Sequence, residues 1–197
     1  MEMLNLKQYH PKLQEDFMKK YEFFMNCPTE DYFLYLVITY RSSVGRYFRF
    51  YDRERCYEKV REDIGEYKKR VIRDVFPKHH VPKLEFLFCI EQHPNYHINM
   101  LMTKPDPILV KDKYRERLAS NRTFTETKLV LEDVARKMNR FGFVRCRKNY
   151  DLDRLKQYCT KEIFENGNYE CIDYENSDLV KYPNDSLNTH IEIRHCG

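Results

Sequence analysis

The stretch that most limits what this chain can fold into is Phe86 to Met102, because its side chains sort into two sets of different chemistry. Successive side chains of a strand point to opposite faces, so Phe86, Phe88, Ile90, Tyr96, Ile98, Met100 and Met102 share one side. Glu91, His93, Asn95, His97 and Asn99 share the other. The first set asks for a core, and the second is a row of groups able to hold a cation. Pro94 has no N–H to give to a ladder, which divides the stretch into two strands, Leu84 to Glu91 and Tyr96 to Thr103, joined by a tight turn at Gln92 to Asn95. A hairpin of this kind returns His97 to the side of Glu91. A carboxylate, an imidazole and an amide or second imidazole suit a divalent metal, Mn²⁺ or Mg²⁺, better than a structural zinc, which takes more sulfur or nitrogen.

With 197 residues the chain is long enough to bury a real core, and one domain over residues 1–175 with a polar tail over 176–197 is expected. Charged residues and tyrosines are abundant, tryptophan is absent and glycines number five, a composition for a folded soluble protein rather than a disordered one. The net charge of +4 permits a nucleic-acid partner without requiring one, since the placement of the charge decides. Seven scattered cysteines with no C-x-x-C spacing read as reduced thiols in a cytosolic setting. Met1 to Lys12 lacks the apolar core of a signal peptide, and no run approaches a membrane span. The expectation is a cytoplasmic protein with no membrane partner, or a nuclear one in a eukaryotic host or virus.

Along the chain, Pro11 to Met25 spaces Leu13, Phe17, Tyr21 and Phe24 as an amphipathic helix opened by proline, the main element of an N-terminal segment over 1–28. Tyr32 to Tyr40, short, aromatic and β-branched, reads as a buried strand. Arg41, Arg46 and Arg49 follow at once. Cys56, Val60, Ile64, Tyr67, Val71 and Val75 mark a long helix from Asp52 to Phe76, and Pro77 to Pro82 forms a basic connector into the hairpin. Lys104 to Thr123 reads as a loop or short helix. A second long helix, Thr125 to Arg140, turns Leu129, Val130, Val134 and Met138 inward, with Gly142 as its C-terminal cap. Phe143 to Arg147 reads as a strand with Phe143, Arg145 and Arg147 on one side. Asp151 caps a third helix, Leu152 to Phe164, with Leu152, Leu155, Cys159 and Ile163 inward. Tyr169 to Tyr174 is expected at a sheet edge. The order predicts an α+β fold, an antiparallel sheet of about five strands flanked by helices, with no P-loop and hence no ATP-driven motor.

Three of these segments, in this order, carry a resemblance. Tyr32 to Thr39 resembles the first motif of the HUH endonuclease superfamily, in particular of small rolling-circle replication initiator (Rep) proteins, where a hydrophobic strand ends near Thr. Glu91 followed by Pro94, Asn95, Tyr96 and His97 resembles their metal motif, two histidines flanking one bulky residue. Arg154 to Glu162 resembles the third motif, a helix bearing a nucleophilic tyrosine with a lysine three residues on. The resemblance spans residues 32–164. It departs from the usual pattern at Asn95, which stands where the first histidine does, and a second register, His97, Ile98, Asn99, fits a variant with an amide in the second place. His97 is on the metal side in both, and Asn95, Asn99 and His93 compete to complete the site with Glu91.

The resemblance implies a metal-dependent enzyme that nicks and joins single-stranded DNA at an origin or element end. Tyr158 would be the single nucleophile, forming a 5′-phosphotyrosine and freeing a 3′-hydroxyl, with Lys161 beside it on the active face. Arg41, Arg46 and Arg49, with Arg145 and Arg147, are the candidate DNA-phosphate contacts. With no motor of its own, the protein would depend on a host helicase and polymerase. A relaxase or transposase of the same superfamily, or a DNA-binding module that does not cleave, fits the same residues. The plain structural readings stand beside these: Tyr158 as a packed tyrosine at the sheet edge, His97 as a hydrogen-bonded core residue, Lys161 as a solvated helix residue. The arginines between 41 and 73 alternate with acids and suit an exposed helix face, and Tyr47, Phe48, Phe50 and Tyr51 suit base stacking or the core.

Overall fold

A computed structural model describes residues 11–26, 32–75, 84–92, 95–103, 123–149, 151–166 and 170–178. Its elements in chain order are α1 (Pro11–Asn26), β1 (Tyr32–Tyr40), α2 (Ser42–Tyr47) with a 3₁₀ turn at Phe48–Phe50, and α3 (Arg53–Val75). Then come β2 (Phe86–Glu91), β3 (His97–Thr103), α4 (Thr123–Lys137), β4 (Phe141–Lys148), α5 (Leu152–Cys159) and α6 (Lys161–Asn166). The fold is α+β, an open antiparallel sheet of four strands in the order β2-β3-β1-β4 with helices against it. Among the described residues no helix is long and apolar enough to cross a membrane.

Alternation sends the even-numbered residues of the sheet to one face. There Leu34, Leu36, Ile38, Phe86, Phe88, Ile90, Ile98, Met100 and Met102 meet Val60, Ile64, Tyr67 and Val71 of α3 and Val130, Val134 and Met138 of α4. The phenol of Tyr67, wholly buried, donates to the Leu131 carbonyl at 3.2 Å, so its one polar atom enters the core satisfied. The odd face is covered along only part of its length. Leu87, Cys89 and Leu101 pack against Phe24 of α1, Leu152 and Cys159 of α5 and Ile163 of α6. The register shift between Tyr32 and Leu34 lets Tyr32 join this second cluster. Beyond Cys89 the apolar packing of this face gives way to polar residues, of which Glu91 and Asn99 remain buried.

The outer edge of β2 is closed by the chain after α6. Ile90 N–H donates to the Cys171 carbonyl at 2.6 Å, Asp173 N–H to Phe88 O at 3.0 Å, and the Ser177 hydroxyl accepts from Phe88 N–H at 2.9 Å. This segment then reaches α3, where Asn176 sits over Gly65 so closely that a Cβ there would stand 2.9 Å from its Oδ1. A glycine in mid-helix costs stability, and here it makes room for the crossing chain. The expected fifth strand is thereby reduced to the single bridge Cys89–Ile172, because side chains take over the pairing and the backbone turns at 174–176.

Other expectations are corrected. Gly142 is no helix cap; it is the second residue of β4, where a Cβ would meet the Arg41 and Tyr40 backbone at 3.2 Å beside the bulge between Ile38 and Tyr40. Leu129 is exposed rather than inward, its place taken by Leu131 and Ala135. The helix expected over Leu152 to Phe164 breaks at Thr160, whose hydroxyl donates back to the Lys156 carbonyl at 2.9 Å. The loop at Lys104 to Thr123, apart from Thr123 itself in α4, and the tail beyond Asp178 lie outside the described residues. The five described cysteines are buried free thiols.

A buried charge cluster locks β4 to α3. Arg140, in the turn entering β4, pairs with Asp63 and Glu66, and the Tyr40 hydroxyl donates to Asp63 at 3.0 Å. Burial pushes the Asp63 carboxyl up, and Arg140, Lys59 and Tyr40 only partly offset that. Arg140→Ala therefore leaves the buried carboxylate with only the more distant Lys59 ammonium, at 3.7 Å, and is expected to lower unfolding stability by about 3 kcal/mol. Urea melts would read this as a lower midpoint at unchanged slope, with most of the loss returned by adding Asp63→Asn.

Candidate active site

The hairpin register pairs Glu91 with His97 and Cys89 with Asn99, and β3 in turn pairs His97 with Thr39 and Asn99 with Val37. The odd-face polar residues are thus neighbours across strands, at the end of the sheet that α1 and α5 leave uncovered. His97 Nε2 lies 2.8 Å from Glu91 Oε2, and Asn99 Nδ2 donates to the same oxygen at 3.2 Å. The other carboxylate oxygen, Oε1, takes the Lys161 ammonium at 2.5 Å. That ammonium also stands 4.1 Å from the centre of the Tyr158 ring. One buried carboxylate so connects two strands with the helices that carry the tyrosine and the lysine.

The surroundings of each group set its charge. Burial works to raise the Glu91 carboxyl, but the bonds from His97, Lys161 and Asn99 outweigh it and bring the pKa to about 2. For His97 burial favours the neutral ring, and the Glu91 bond with the Asn95 carbonyl overcomes it, leaving the pKa raised. Lys161 follows the same pattern: desolvation lowers it, the carboxylate and Tyr158 raise it more. At neutral pH the ionised Glu91 faces the Lys161 ammonium, and its pull favours the protonated form of the His97 ring. Tyr35 donates its hydroxyl to Asn99 Oδ1 at 2.6 Å, and burial, with the nearby Cys159, Tyr158 and Glu91, pushes its pKa far up, so it stays a phenol. Glu162, at the start of α6, accepts from Gln92 N–H at 2.9 Å and pins the chain just after Glu91.

Among the described residues no three His, Cys, Asp or Glu side chains gather as a metal-holding group, so a cation here would rest on Glu91, His97 and an amide. The donor types, a carboxylate, an imidazole and an amide, are ones such a cation accepts. The His97 Nδ1 faces the Asn95 carbonyl at 2.9 Å, which orients the ring with Nε2 inward, as outer-shell partners of metal-bound imidazoles do. Adjacent ligands of an octahedral ion with bonds of about 2.1 Å lie roughly 3 Å apart. The 2.8 Å between Glu91 and His97 is close to that edge, but it is a hydrogen bond whose proton a bound cation would have to replace. Asn99 would have to turn its amide to present oxygen, and Tyr35 tolerates the turn because a phenol can accept as well as donate. Asn95 meets the site through its backbone, its side chain being exposed, so the structure brings Asn99 rather than Asn95 against Glu91. His93 lies outside the described residues.

Around this centre the structure divides the expected DNA contacts. Arg145 and Arg147 stand exposed on the odd face of β4, opposite Val37 and Tyr35. Arg41 is exposed at the end of β1, though its Nε donates to the Phe141 carbonyl at 2.9 Å. Arg49 is exposed on the 3₁₀ turn, and the side chain of Arg46 is outside what is described. Phe48 is core, packed on the rings of Tyr40 and Tyr96; Tyr51 is partly exposed beneath Arg55. Sequence reasoning missed Tyr35 and Glu162. Alternation counted back from Thr39 would have put Tyr35 on the odd face, whereas nothing local marks Glu162.

Comparison with protein-family models, with curated proteins and with solved structures finds no match to this chain.

Because the Glu91 pKa falls from an ordinary 4.5 to about 2 on folding, its bonds stabilise the fold fully above pH 4.5 and are lost as pH drops toward 2. The contribution is on the order of 3 kcal/mol. In EDTA, the stability gap between wild type and Glu91→Gln is expected to be widest near neutrality and to close through that acid window. A gap independent of pH would deny Glu91 its ionised role.

Proposed function

We propose that this chain is a metal-assisted enzyme that cuts and rejoins single-stranded DNA through a tyrosine, in the manner of HUH-type rolling-circle replication initiators. The observation that carries the reading is the position of Lys161, between the Glu91 carboxylate and an exposed Tyr158. Tyr158 is 46% exposed, so a phosphodiester can reach its hydroxyl from solvent. A tyrosine there for packing alone would have no use for a buried acid tethered to it through a lysine.

The chemistry follows from the groups present. The exposed Tyr158 hydroxyl gives up its proton to solvent as it attacks, and the Lys161 ammonium beside the ring would hold a phosphate oxygen. The Tyr158 oxygen attacks phosphorus in line; the new O–P bond forms as the bond to the 3′ oxygen breaks, and that oxygen takes a proton from water. One phosphoester replaces another, so the reverse attack by a 3′-hydroxyl reseals the strand without ATP. Glu91, His97 and Asn99 would hold a divalent ion, which would polarise a phosphoryl oxygen and offset charge growing on it. Arg145 and Arg147 extend positive charge along the same face, where the strand must lie on either side of the reacting phosphate.

The second reading, a DNA-binding module without cleavage, draws on the single imidazole of the site and on the hold Tyr35 has on Asn99. A labelled single-stranded origin oligonucleotide with Mn²⁺ separates the two. The enzyme gives a protein–DNA adduct that survives denaturing electrophoresis and vanishes in Tyr158→Phe; tight binding with no adduct under any metal supports the module. Lys161→Ala is expected to slow nicking more than it weakens DNA binding. Mn²⁺ at a hundredfold excess over its dissociation constant should stabilise the wild type by about 2.7 kcal/mol, seen as a raised Tm. His97→Ala should abolish that rise, and its persistence would move the metal elsewhere.

A further inference from the structure

Phe143 is 61% exposed, the most open of the large apolar side chains among the described residues. Nothing in the catalytic reading uses it. A phenyl ring held out on a strand at the sheet edge is what soluble proteins avoid, since it invites unwanted pairing. Its placement is also firm: Phe143 N–H donates to the Thr39 hydroxyl at 3.1 Å, and that hydroxyl donates to the Phe143 carbonyl at 3.1 Å. The bracket closes the ladder where the β1–β4 register slips between Ile38 and Tyr40. It also sets Phe143 in one row with Thr39, His97 and Glu91 across all four strands. Two strand spacings, about 10 Å, separate the Phe143 backbone from that of His97. Arg145 and Arg147 continue from it along the same face of β4, both exposed, with no acid alternating between them.

We propose that Phe143 is a stacking platform for an unpaired base of the DNA strand whose phosphate is handled at Glu91 and His97. The proposal rests on the DNA-cutting reading and adds to it the side chain that would hold a base of the single strand. A flat apolar ring beside guanidinium groups is the combination that grips single strands, the ring taking a base face and the cations the phosphates on each side of it. A duplex cannot offer such a face, because its bases are stacked on one another. The platform thus selects single-stranded substrate without reading which base it holds.

The test is binding of a fluorescein-labelled oligodeoxythymidylate, followed by anisotropy over a salt series, with a parallel set in which one abasic residue is moved along the strand. Phe143→Ala should weaken binding about tenfold with its salt slope unchanged. Arg145→Ala should flatten the slope by about 0.7, the signature of one lost phosphate contact on a single strand. In the wild type one abasic position should weaken binding, and in Phe143→Ala that penalty should disappear, since ring and base are then already parted. Phe143→Tyr should bind as the wild type does; Phe143→Leu, apolar but not flat, should not. Equal binding by Phe143→Ala and wild type at every abasic position overturns the platform while leaving the Tyr158 adduct to stand by itself. A wild type that binds no oligonucleotide overturns both. A wild-type dimer that Phe143→Ala turns into a monomer in sedimentation assigns the ring to self-association and overturns the platform as well.

Discussion

The buried carboxylate of Glu91 is the point on which the site depends. An acid so enclosed would ordinarily protonate, but it stays ionised because an imidazole, an amide and an ammonium converge on it from β3 and α6. Two of the partners come from β3 and the third from α6. The same bonds that keep the charge therefore hold the β2–β3 hairpin against α6, which the bond from Gln92 N–H to Glu162 also fastens. A buried pair is an uncertain source of net stability, but it is a strong constraint on geometry, since the desolvated partners have nowhere else to go.

The asymmetry of the covering helices explains why the polar groups are usable. On the even face α3 and α4 close the sheet along its length; on the odd face α1, α5 and α6 cover the end holding Leu87, Cys89 and Leu101 and stop short of His97. The border of that cover is where low dielectric meets water. Charges there are strengthened by the protein on one side and reachable from the other. The arginine-paired cluster at Asp63 performs a different task on the opposite face, tying the turn before β4 to α3 and so fixing where Phe143, Arg145 and Arg147 emerge.

Much of this was legible because strands declare themselves by alternation. The two-faced pattern from Phe86 to Met102 predicted a core side and a polar side, and the expected pairing of Glu91 with His97 is present in the hairpin. The long helix α3 was equally plain in its spacing of Cys56, Val60, Ile64, Tyr67 and Val71. What failed to show were features set by contacts distant in sequence. The apolar spacing of Leu155, Cys159 and Ile163 runs through Thr160 without interruption, so a continuous helix was the natural reading. Gly142 looked like a cap because the backbone it makes room for, at Tyr40 and Arg41, is a hundred residues away in the chain. The Arg-rich stretch after β1 hid α2, whose six residues are too few to show a period. Asn99 and Asn95 are chemically alike, and only the fold separates an amide that faces the acid from one that lends its carbonyl to the ring.

The break at Thr160 separates two parts that a continuous helix would have fused. Tyr158 belongs to the last turn of α5, and Lys161 begins α6, so phenol and ammonium meet across a joint rather than along one rod. On an unbroken helix their offset would be set by pitch alone. Here the angle at one buried threonine governs it, and small changes in that joint could retune how closely the cation attends the oxygen while leaving the strands beneath undisturbed.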